Sequence, residues 1–134
     1  MNPVELAEIL RGAFTAAPPL YANERDLQEA IANALTGQLP PGVHAAREHV
    51  LTKRDRLDFL VGYNPMWTAT PLGTAIEVKI DGSLSDLTRQ LFRYAEHPAI
   101  SGLLVVTTRS RHRALPPLIL GKPIAVLFTG DFML

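Results

Sequence analysis

The sequence predicts an α/β domain in which helices flank a mixed central β-sheet. Its 134 residues include 11 Pro and 9 Gly, and these residues divide the chain into about eight segments. Helix-like and strand-like segments follow one another in the order ααβββαββ, which is typical of a sheet with helices on its faces. Because 47% of the residues are hydrophobic, a chain of this length can bury a core of its own. We therefore expect residues 1–134 to form a single domain.

A first helix is predicted at the start of the chain. Asn2 suits the cap position and Pro3 suits the first helical turn. The helix is expected to run to about Phe14, because a Pro-Pro pair at positions 18–19 prevents its continuation. Residues 1–20 are therefore expected to form an N-terminal helix and a linker.

A second helix is predicted from Glu24 to about Leu35, with Asn23 as its cap. At about 100° per residue, Leu27, Ile31 and Leu35 form one apolar stripe, and Glu24 lies within that stripe. A helix that packs this stripe on a sheet presents Glu24 toward the sheet. The alternative is that Glu24 is an ordinary acidic residue of a first helical turn, where carboxylates are favoured.

Three extended segments follow and are predicted to be neighbouring strands: Val43–Leu51, Arg56–Val61 and Thr74–Ile80. Residues 62–73 are expected to form a long hairpin loop that contains the Asn64-Pro65 pair. Side chains of the third strand alternate between the two faces of the sheet, with Glu77 and Lys79 on one face and β-branched residues on the other. The third strand therefore carries a carboxylate and an ammonium group side by side.

The remaining segments predict one helix and two strands. Ser83 can cap a helix that runs to about Glu96 and carries an apolar stripe. The apolar run Leu103–Thr108 suits a buried strand, and Pro123–Phe128 suits a last strand, since Pro is tolerated where a strand begins. These segments complete the ααβββαββ order.

Two carboxylates inside apolar strands need an explanation, because an unpaired buried charge is costly. Neighbouring strands can bring Asp58 and Glu77 to adjacent positions, where like charges require a cation between them. With Glu24 on the helix and Lys79 nearby, the three carboxylates suit an oxygen-loving divalent ion. We expect Mg²⁺, with Mn²⁺ able to substitute. The alternative is an edge strand in which Glu77 and Lys79 form a solvated ion pair.

Three motifs place charged residues on the second helix, the second strand and the third strand: Glu24-Arg25, Asp58 and Glu77-Val78-Lys79. In this order they resemble the PD-(D/E)xK, or restriction-endonuclease-like, nucleases, whose common core runs αβββαβ. The resemblance covers residues 21–129, which we take as the core of the domain. One departure is Leu57, which stands at the position of the family's Pro.

The resemblance implies a restriction-endonuclease-like αβββαβ core that hydrolyses DNA phosphodiester bonds. It also implies that Glu24, Asp58 and Glu77 hold the metal and that Lys79 takes part in catalysis. The metal would lower the pKa of a bound water and offset charge on the phosphodiester.

A further pair of residues extends the resemblance to one subset of the family. Gln90 and Tyr94 lie four residues apart on the helix after the E-V-K strand, similar to the Gln-xxx-Tyr element of RecB-type nuclease domains. The resemblance implies that Gln90 and Tyr94 contact the nucleic acid or support the site. The alternative is that Tyr94 is an ordinary core residue, since it also lies on the apolar stripe.

Positive charge is concentrated in the later part of the chain, although the formal net charge is zero. Residues 1–46 contain two Arg and five acidic residues, whereas residues 47–134 contain eleven Lys or Arg and eight acidic residues. One basic group, Lys53, Arg54 and Arg56, lies between the first two strands and at the start of the second. The residues expected to contact a phosphate backbone lie on the third helix and after the fourth strand: Arg89, Arg93, Arg109, Arg111 and Arg113. The alternative is that these groups only solvate helix and loop faces.

Other kinds of site are not supported by the sequence. The four His form no H-x-x-x-H pair, and without Cys there is no Cys-containing zinc site. Neither a P-loop nor a G-x-G-x-x-G motif occurs, so we expect no nucleotide cofactor. No apolar run approaches the roughly 20 residues of a membrane span. The first ten residues carry two Glu where a secretory signal would be basic and then apolar, so we expect a cytoplasmic location without membrane contact.

Three functions remain open at this point. The first is a metal-dependent nuclease acting on DNA, alone, as a homodimer or in a larger DNA-processing complex. The second is a catalytically inactive nuclease-fold module used for nucleic-acid binding or assembly. The third is an unrelated α/β protein with a chance E-V-K strand. The sequence does not select between endonuclease and exonuclease action, or among single-stranded, duplex and branched DNA.

Overall fold

The helices and strands of the computed structural model follow the predicted order, with one short strand added. Residues 1–63 and 72–132 are described. Their helices are α1 (Pro3–Ala16), α2 (Glu24–Leu35) and α3 (Leu84–Ala95). Their strands are β1 (Val43–Val50), β2 (Arg56–Tyr63), β3 (Leu72–Lys79), β4 (Ile100–Thr107), β5 (Leu118–Ile119) and β6 (Lys122–Phe128). None of the helices in these two ranges has the length and apolar character needed to cross a membrane.

Polar side chains cap the three helices where the sequence predicted their starts. Asn2 and Asn23 each accept a hydrogen bond at 2.9 Å from the backbone N–H three residues later. Ser83 accepts an equivalent hydrogen bond at 3.1 Å. Each cap satisfies one of the backbone donors that a helix leaves free in its first turn, so the predicted starts are confirmed.

The strands form one mixed sheet, in the order β1-β2-β3-β4-β6-β5 across the described residues. β1, β2 and β3 are antiparallel to one another, and β3, β4 and β6 are parallel. The helix α3 makes the crossover from β3 to the parallel strand β4, as parallel neighbours require. The predicted mixed sheet is confirmed.

Helices cover both faces of this sheet. Alternate residues of β4 separate two cores: Leu104 and Val106 belong to the core beneath α1 and α2, whereas Leu103 and Val105 belong to the core beneath α3. All four side chains are fully buried. The functional consequence is that α2 and α3 approach the same central strands from opposite sides.

The hairpin loop predicted at residues 62–73 is wrong at both ends, because the two strands continue into it. Gly62 lies opposite Gly73 in the ladder of β2 and β3. A Cβ atom at either position would collide with the backbone of the opposite strand, so the two glycines permit a close approach of paired strands and do not mark a turn. The Asn64-Pro65 pair lies outside the described residues.

The short strand β5 is the other departure from the predicted elements. Leu118 and Ile119 pair with the start of β6, through a turn in which Leu120 and Gly121 have φ values of 51° and 75°. A two-residue strand has no alternation that a sequence pattern can reveal, and its tight turn contains only one glycine. This edge of the sheet lies away from the strands that carry the predicted site.

Candidate active site

The strands β2 and β3 separate at the point where Asp58 lies. The paired register between them ends with Phe59 opposite Ile76. Beyond this pair, the Asp58 side chain replaces a main-chain partner, because its Oδ2 accepts a hydrogen bond from the Val78 backbone N–H at 2.7 Å. The Asp58 carboxylate is thereby fixed against the segment of β3 that carries the E-V-K motif.

The helix α2 reaches the same place through Gln28. Its Nε2 donates a hydrogen bond to Asp58 Oδ1 at 3.0 Å, so both carboxylate oxygens of Asp58 have donors. Glu24 lies one turn earlier on the same helix. Burial raises the pKa of Asp58 and of Glu77, and the negative charge of Glu24 raises both further. The structure thus places Glu24 within electrostatic range of both strand carboxylates.

The helix α3 holds Glu77 from the opposite face of the sheet. The Glu77 side chain is 7% exposed. Its Oε1 accepts a hydrogen bond from Gln90 Nε2 at 3.2 Å, and its Oε2 accepts one from the Tyr94 hydroxyl at 3.4 Å. Lys79 Nζ lies 3.4 Å from Glu77 Oε1. Gln90, Tyr94 and Lys79, which the sequence placed in one site, therefore surround a single buried carboxylate.

Burial is the largest cause of the pKa shifts of Asp58, Glu77 and Tyr94. It raises the pKa of Glu77 to about 8; the charge of Asp58 adds to the rise, and Lys79 opposes it. Burial also raises the pKa of Asp58, although the hydrogen bond from the Val78 backbone favours the ionised form. The pKa of Tyr94 rises because of burial and the neighbouring charge of Glu77. Burial and the charge of Asp58 therefore favour the protonated form of Glu77, whereas the neighbouring ammonium group of Lys79 favours the ionised form.

The three carboxylates share an electrostatic environment but do not form a closed ligand set. Among residues 1–63 and 72–132, no group of three or more His, Asp or Glu side chains is close enough together to hold a metal ion. The reason lies in their present partners: Asp58 is bonded to α2 and to β3, and Glu77 is bonded to α3. The side chains must reorient before Glu24, Asp58 and Glu77 can share one ion.

Glu48 is a fourth carboxylate near the site that the sequence did not reveal. It has a φ of 47°, and the ladder of β1 and β2 pairs the residues on either side of it but omits Glu48 itself. The irregularity leaves Glu48 across from Asp58, whose burial-raised pKa it raises further. A single residue with positive φ in an exposed strand leaves no pattern in hydropathy, so no local signal identifies Glu48.

The two arginines predicted on α3 to contact phosphate have acidic partners. Arg93 donates from Nε and Nη2 to the Asp55 carboxylate, with the shortest distance 3.0 Å. Arg89 forms an ion pair with Asp86 one turn earlier on the helix. Both arginine side chains remain partly exposed, at 41% and 68%. Arg93 is thus committed to a fixed contact, whereas Arg89 belongs to a solvated pair that is weak in water.

The three predicted arginines after β4 also have acidic partners. Arg109 and Arg111 lie 3.6 and 2.8 Å from the carboxylate of Asp81, which follows β3 closely, and Arg113 lies 3.5 Å from Asp131. Because Asp81 is 71% exposed, its pairs are weak in water and leave the arginines accessible. Arg109 and Arg111 therefore lie near the end of the strand that carries the E-V-K motif.

Comparison with known protein families gives no match, and comparisons with curated proteins and with solved structures give none either. The chemistry of the site therefore rests on its own geometry. The half-buried carboxylate of Asp58 and the buried carboxylate of Glu77 lie on neighbouring strands where the strands separate, with a third carboxylate on α2 and a lysine at the same end of β3. This arrangement can concentrate negative charge, bind a cation and present an ammonium group to an anionic substrate.

Proposed function

We propose that the protein is a metal-dependent nuclease that hydrolyses DNA phosphodiester bonds at the site of Asp58, Glu77 and Lys79. The observation that carries the proposal is the separation of β2 from β3. There, two carboxylates with raised pKa values lie beside one lysine. Like charges held on neighbouring strands are stabilised by a cation, and a cation beside a lysine suits a phosphodiester substrate.

The order of elements supports a restriction-endonuclease-like core. The run α2, β1, β2, β3, α3, β4 agrees with the αβββαβ order of that fold. The acidic residues of the motifs lie on α2, β2 and β3 in the expected sequence. Gln90 and Tyr94 lie on α3 and contact Glu77, which agrees with a supporting role for the Gln-xxx-Tyr element.

The donor set fits a hard divalent cation. Its members, Glu24, Asp58 and Glu77, are all carboxylates, and Mg²⁺ prefers oxygen ligands and binds few protein carboxylates while keeping several waters. Asp58 and Glu77 would hold Mg²⁺ or Mn²⁺, and Glu24 would complete the set from α2. When bound, the ion would lower the pKa of a water and offset negative charge on the phosphodiester.

Lys79 supplies the positive charge of the chain itself. Its side chain is 25% exposed and its Nζ lies 3.4 Å from Glu77 Oε1, so the ammonium group can reach both the carboxylate and an approaching substrate. In the proposed reaction Lys79 orients the attacking water or donates a hydrogen bond to a phosphate oxygen. Gln28 and Gln90 hold the two strand carboxylates in their orientations through the amide contacts described above.

One observation favours a second candidate, a catalytically inactive nuclease-fold module that binds nucleic acid or serves assembly. The Glu77 carboxylate already has three donors, from Lys79, Gln90 and Tyr94, which satisfy it without a metal ion. In this alternative, the polar cluster stabilises the fold and the surface still contacts nucleic acid. The two candidates differ in whether DNA is cleaved.

A cleavage assay with the purified protein tests the proposal. Labelled linear, circular, single-stranded and branched DNA are incubated with Mg²⁺, with Mn²⁺ or with EDTA. We expect metal-dependent cleavage by the wild type and by Glu8→Gln, a control at a side chain that is 68% exposed on α1. Glu77→Gln should lose cleavage. A folded wild type that cleaves none of these substrates would contradict the nuclease and leave the inactive module.

A further inference from the structure

The turn between β1 and β2 is short and held in one conformation. The backbone N–H groups of Leu51 and Thr52 donate hydrogen bonds to the Asp55 carbonyl at 2.9 and 3.1 Å. The Thr52 hydroxyl oxygen accepts hydrogen bonds from the backbone N–H groups of Arg54 and Asp55, both at 3.1 Å. We refer to residues 52–56 as the basic turn. Its backbone is fixed by its own hydrogen bonds.

Side chains of α3 contact the basic turn and fix its position. The Asp55 side chain is 9% exposed and accepts the two-point hydrogen bond from Arg93, a geometry that is stronger and more directional than a single contact. The hydroxyl of Tyr94, the next residue of α3, lies 3.5 Å from the Arg56 carbonyl and shares its single hydrogen between that carbonyl and Glu77 Oε2. The turn is therefore held both by its own hydrogen bonds and by two neighbouring side chains of α3.

Among the described residues, the basic turn carries most of the cations that lack an acidic partner. Of the 13 Lys and Arg residues, eight lie in ion pairs within the described part of the chain: Arg11, Arg47, Lys79, Arg89, Arg93, Arg109, Arg111 and Arg113. Of the other five, Lys53, Arg54 and Arg56 lie in the basic turn and are exposed. Positive charge that is not offset locally attracts polyanions.

The basic turn adjoins the proposed active site. Arg56 precedes Asp58 by two residues in β2. Tyr94, which contacts the Arg56 carbonyl, also contacts Glu77 Oε2 at 3.4 Å. One tyrosine thus connects the backbone of the turn to the buried carboxylate, and the three cations lie at the end of the sheet where β2 and β3 separate.

We propose that the basic turn binds the phosphate backbone of the DNA substrate next to the bond that is cleaved, through Lys53, Arg54 and Arg56. This inference rests on the proposed nuclease function and adds to it the surface that positions the substrate. The fixed backbone of the turn presents the cations without a large ordering cost on binding. Phosphate contacts of this kind hold a nucleic acid without reading its sequence.

A binding titration with a matched control tests the basic turn. Labelled duplex DNA is titrated by fluorescence anisotropy with Ca²⁺ in place of Mg²⁺, at several salt concentrations. The test variant is Lys53→Gln with Arg54→Gln. The control, Arg11→Gln with Lys122→Gln, also removes one Arg and one Lys, from α1 and β6.

We expect the test variant to bind about tenfold more weakly at low salt. Its slope of log affinity against log salt should be lower by about one unit for each phosphate group that the turn no longer binds. The control should bind as the wild type does, and the weakening should be the same for unrelated sequences. Equal affinities and slopes for the wild type, test variant and control would overturn the proposal. So would equally tight binding of polyglutamate, because the turn would then serve an acidic protein partner.

A cleavage measurement separates this inference from the proposed function. If the wild type cleaves DNA, the test variant should show a higher KM with a nearly unchanged kcat, because the turn binds substrate and does not touch the reacting atoms. Cleavage with an unchanged KM in the test variant would overturn the role of the turn and leave the nuclease intact. A wild type that binds the duplex through the turn but does not cleave it would overturn the nuclease alone.

Discussion

Glu77 is buried, has a raised pKa and is a proposed ligand of the metal ion. Its carboxylate lies beneath α3 with a hydrogen bond to each oxygen, and its pKa is raised to about 8 by burial and by the charge of Asp58. A carboxylate in such a place holds either a proton or a cation at neutral pH. In the proposed site, metal binding and protonation would therefore compete for the Glu77 carboxylate.

The first prediction concerns the stability of the metal-free protein. The pKa of Glu77 rises from 4.5 to about 8 on folding, so the folded state binds this proton more tightly than the unfolded state does. The resulting stability is fully present below about pH 4.5 and is lost as the pH rises through about 8. The unfolding midpoint in EDTA should therefore fall by several degrees between about pH 5 and pH 8.

Two variants make this prediction specific to Glu77. Glu77→Gln keeps the hydrogen-bonding side chain but cannot ionise, so its midpoint should depend less on pH than that of the wild type. Glu8→Gln, at an exposed position of α1, should retain the decline of the wild type. A decline of equal size in Glu77→Gln would show that other groups cause it.

The second prediction concerns Lys79. Because its proposed role is to act on the water or the phosphate and not to ligate the ion, Lys79→Ala should lower kcat by about a hundredfold or more while the fold and metal affinity persist. Lys122→Ala on β6 is the matched control and should cleave at the rate of the wild type. Undiminished cleavage by Lys79→Ala, measured with saturating DNA, would remove Lys79 from the chemistry.

Sequence patterns identify some residues of the site and miss others for a physical reason. Asp58 and Glu77 stand out because charge inside an apolar strand needs a partner. Gln28, one turn after Glu24 on the second helix, is directed toward the sheet by the same helical pattern. Glu48 does not stand out, because an acid on an exposed strand is ordinary in sequence. Only the pairing of β1 with β2 brings Glu48 opposite Asp58.

At the scale of elements, α3 serves two functions at once. On the side of α3 that faces the sheet, Gln90 and Tyr94 donate hydrogen bonds to Glu77. The partly exposed Arg93 fixes the basic turn through its hydrogen bonds to Asp55. The helix therefore couples the position of the buried carboxylate to the position of the proposed phosphate contacts. The sequence predicted the helix and its stripe, but the partner of Arg93 lies 38 residues earlier in the chain and has no local signature.

The third prediction tests whether the anchor of the basic turn matters beyond its charge. Asp55→Asn removes the ion pair with Arg93 while leaving every cation in place. Because a negative charge is lost, simple electrostatics predicts tighter DNA binding. We expect the opposite, a weakening of about threefold to fivefold, together with a decrease of about 1–3 kcal/mol in the free energy of unfolding. The measurements are anisotropy with Ca²⁺ and urea unfolding.

Asp86→Asn is the matched control for this experiment. Asp86 also pairs with an arginine of α3 but is 71% exposed, whereas Asp55 is 9% exposed. The control should change stability little and bind DNA at least as tightly as the wild type. Asp55→Asn binding that equals or exceeds the control would mean that the rigid conformation of the turn contributes nothing to recognition.

At the scale of the whole molecule, the mixed sheet explains why the site forms where it does. Antiparallel β2 and β3 bring Asp58 beside the E-V-K motif, and the parallel step from β3 to β4 sends α3 across the face that carries Glu77. The helix α2 covers the other face and approaches through Gln28. Separate elements thus supply each carboxylate, and the sheet brings them to one end.

The overall architecture was largely predictable, whereas its fine geometry was not. Caps, prolines and hydrophobic periodicity fix the helices and the main strands, because these signals are local. Other features depend on interactions across the fold. They are the continuation of β2 and β3 through Gly62 and Gly73, the short strand β5 and the acidic partners of the arginines. Such interactions leave no periodic pattern in the sequence.

The most direct measurement of the central claim is a calorimetric titration of the metal-free protein with Mn²⁺. The wild type should bind the ion, and Asp58→Asn combined with Glu77→Gln should not, because the two carboxylates that share the site are then neutral. Glu8→Gln combined with Asp86→Asn removes the same two kinds of charge from exposed positions and should bind as the wild type does. Equal Mn²⁺ binding by the wild type and the site variant would contradict the claim that Asp58 and Glu77 hold a divalent cation.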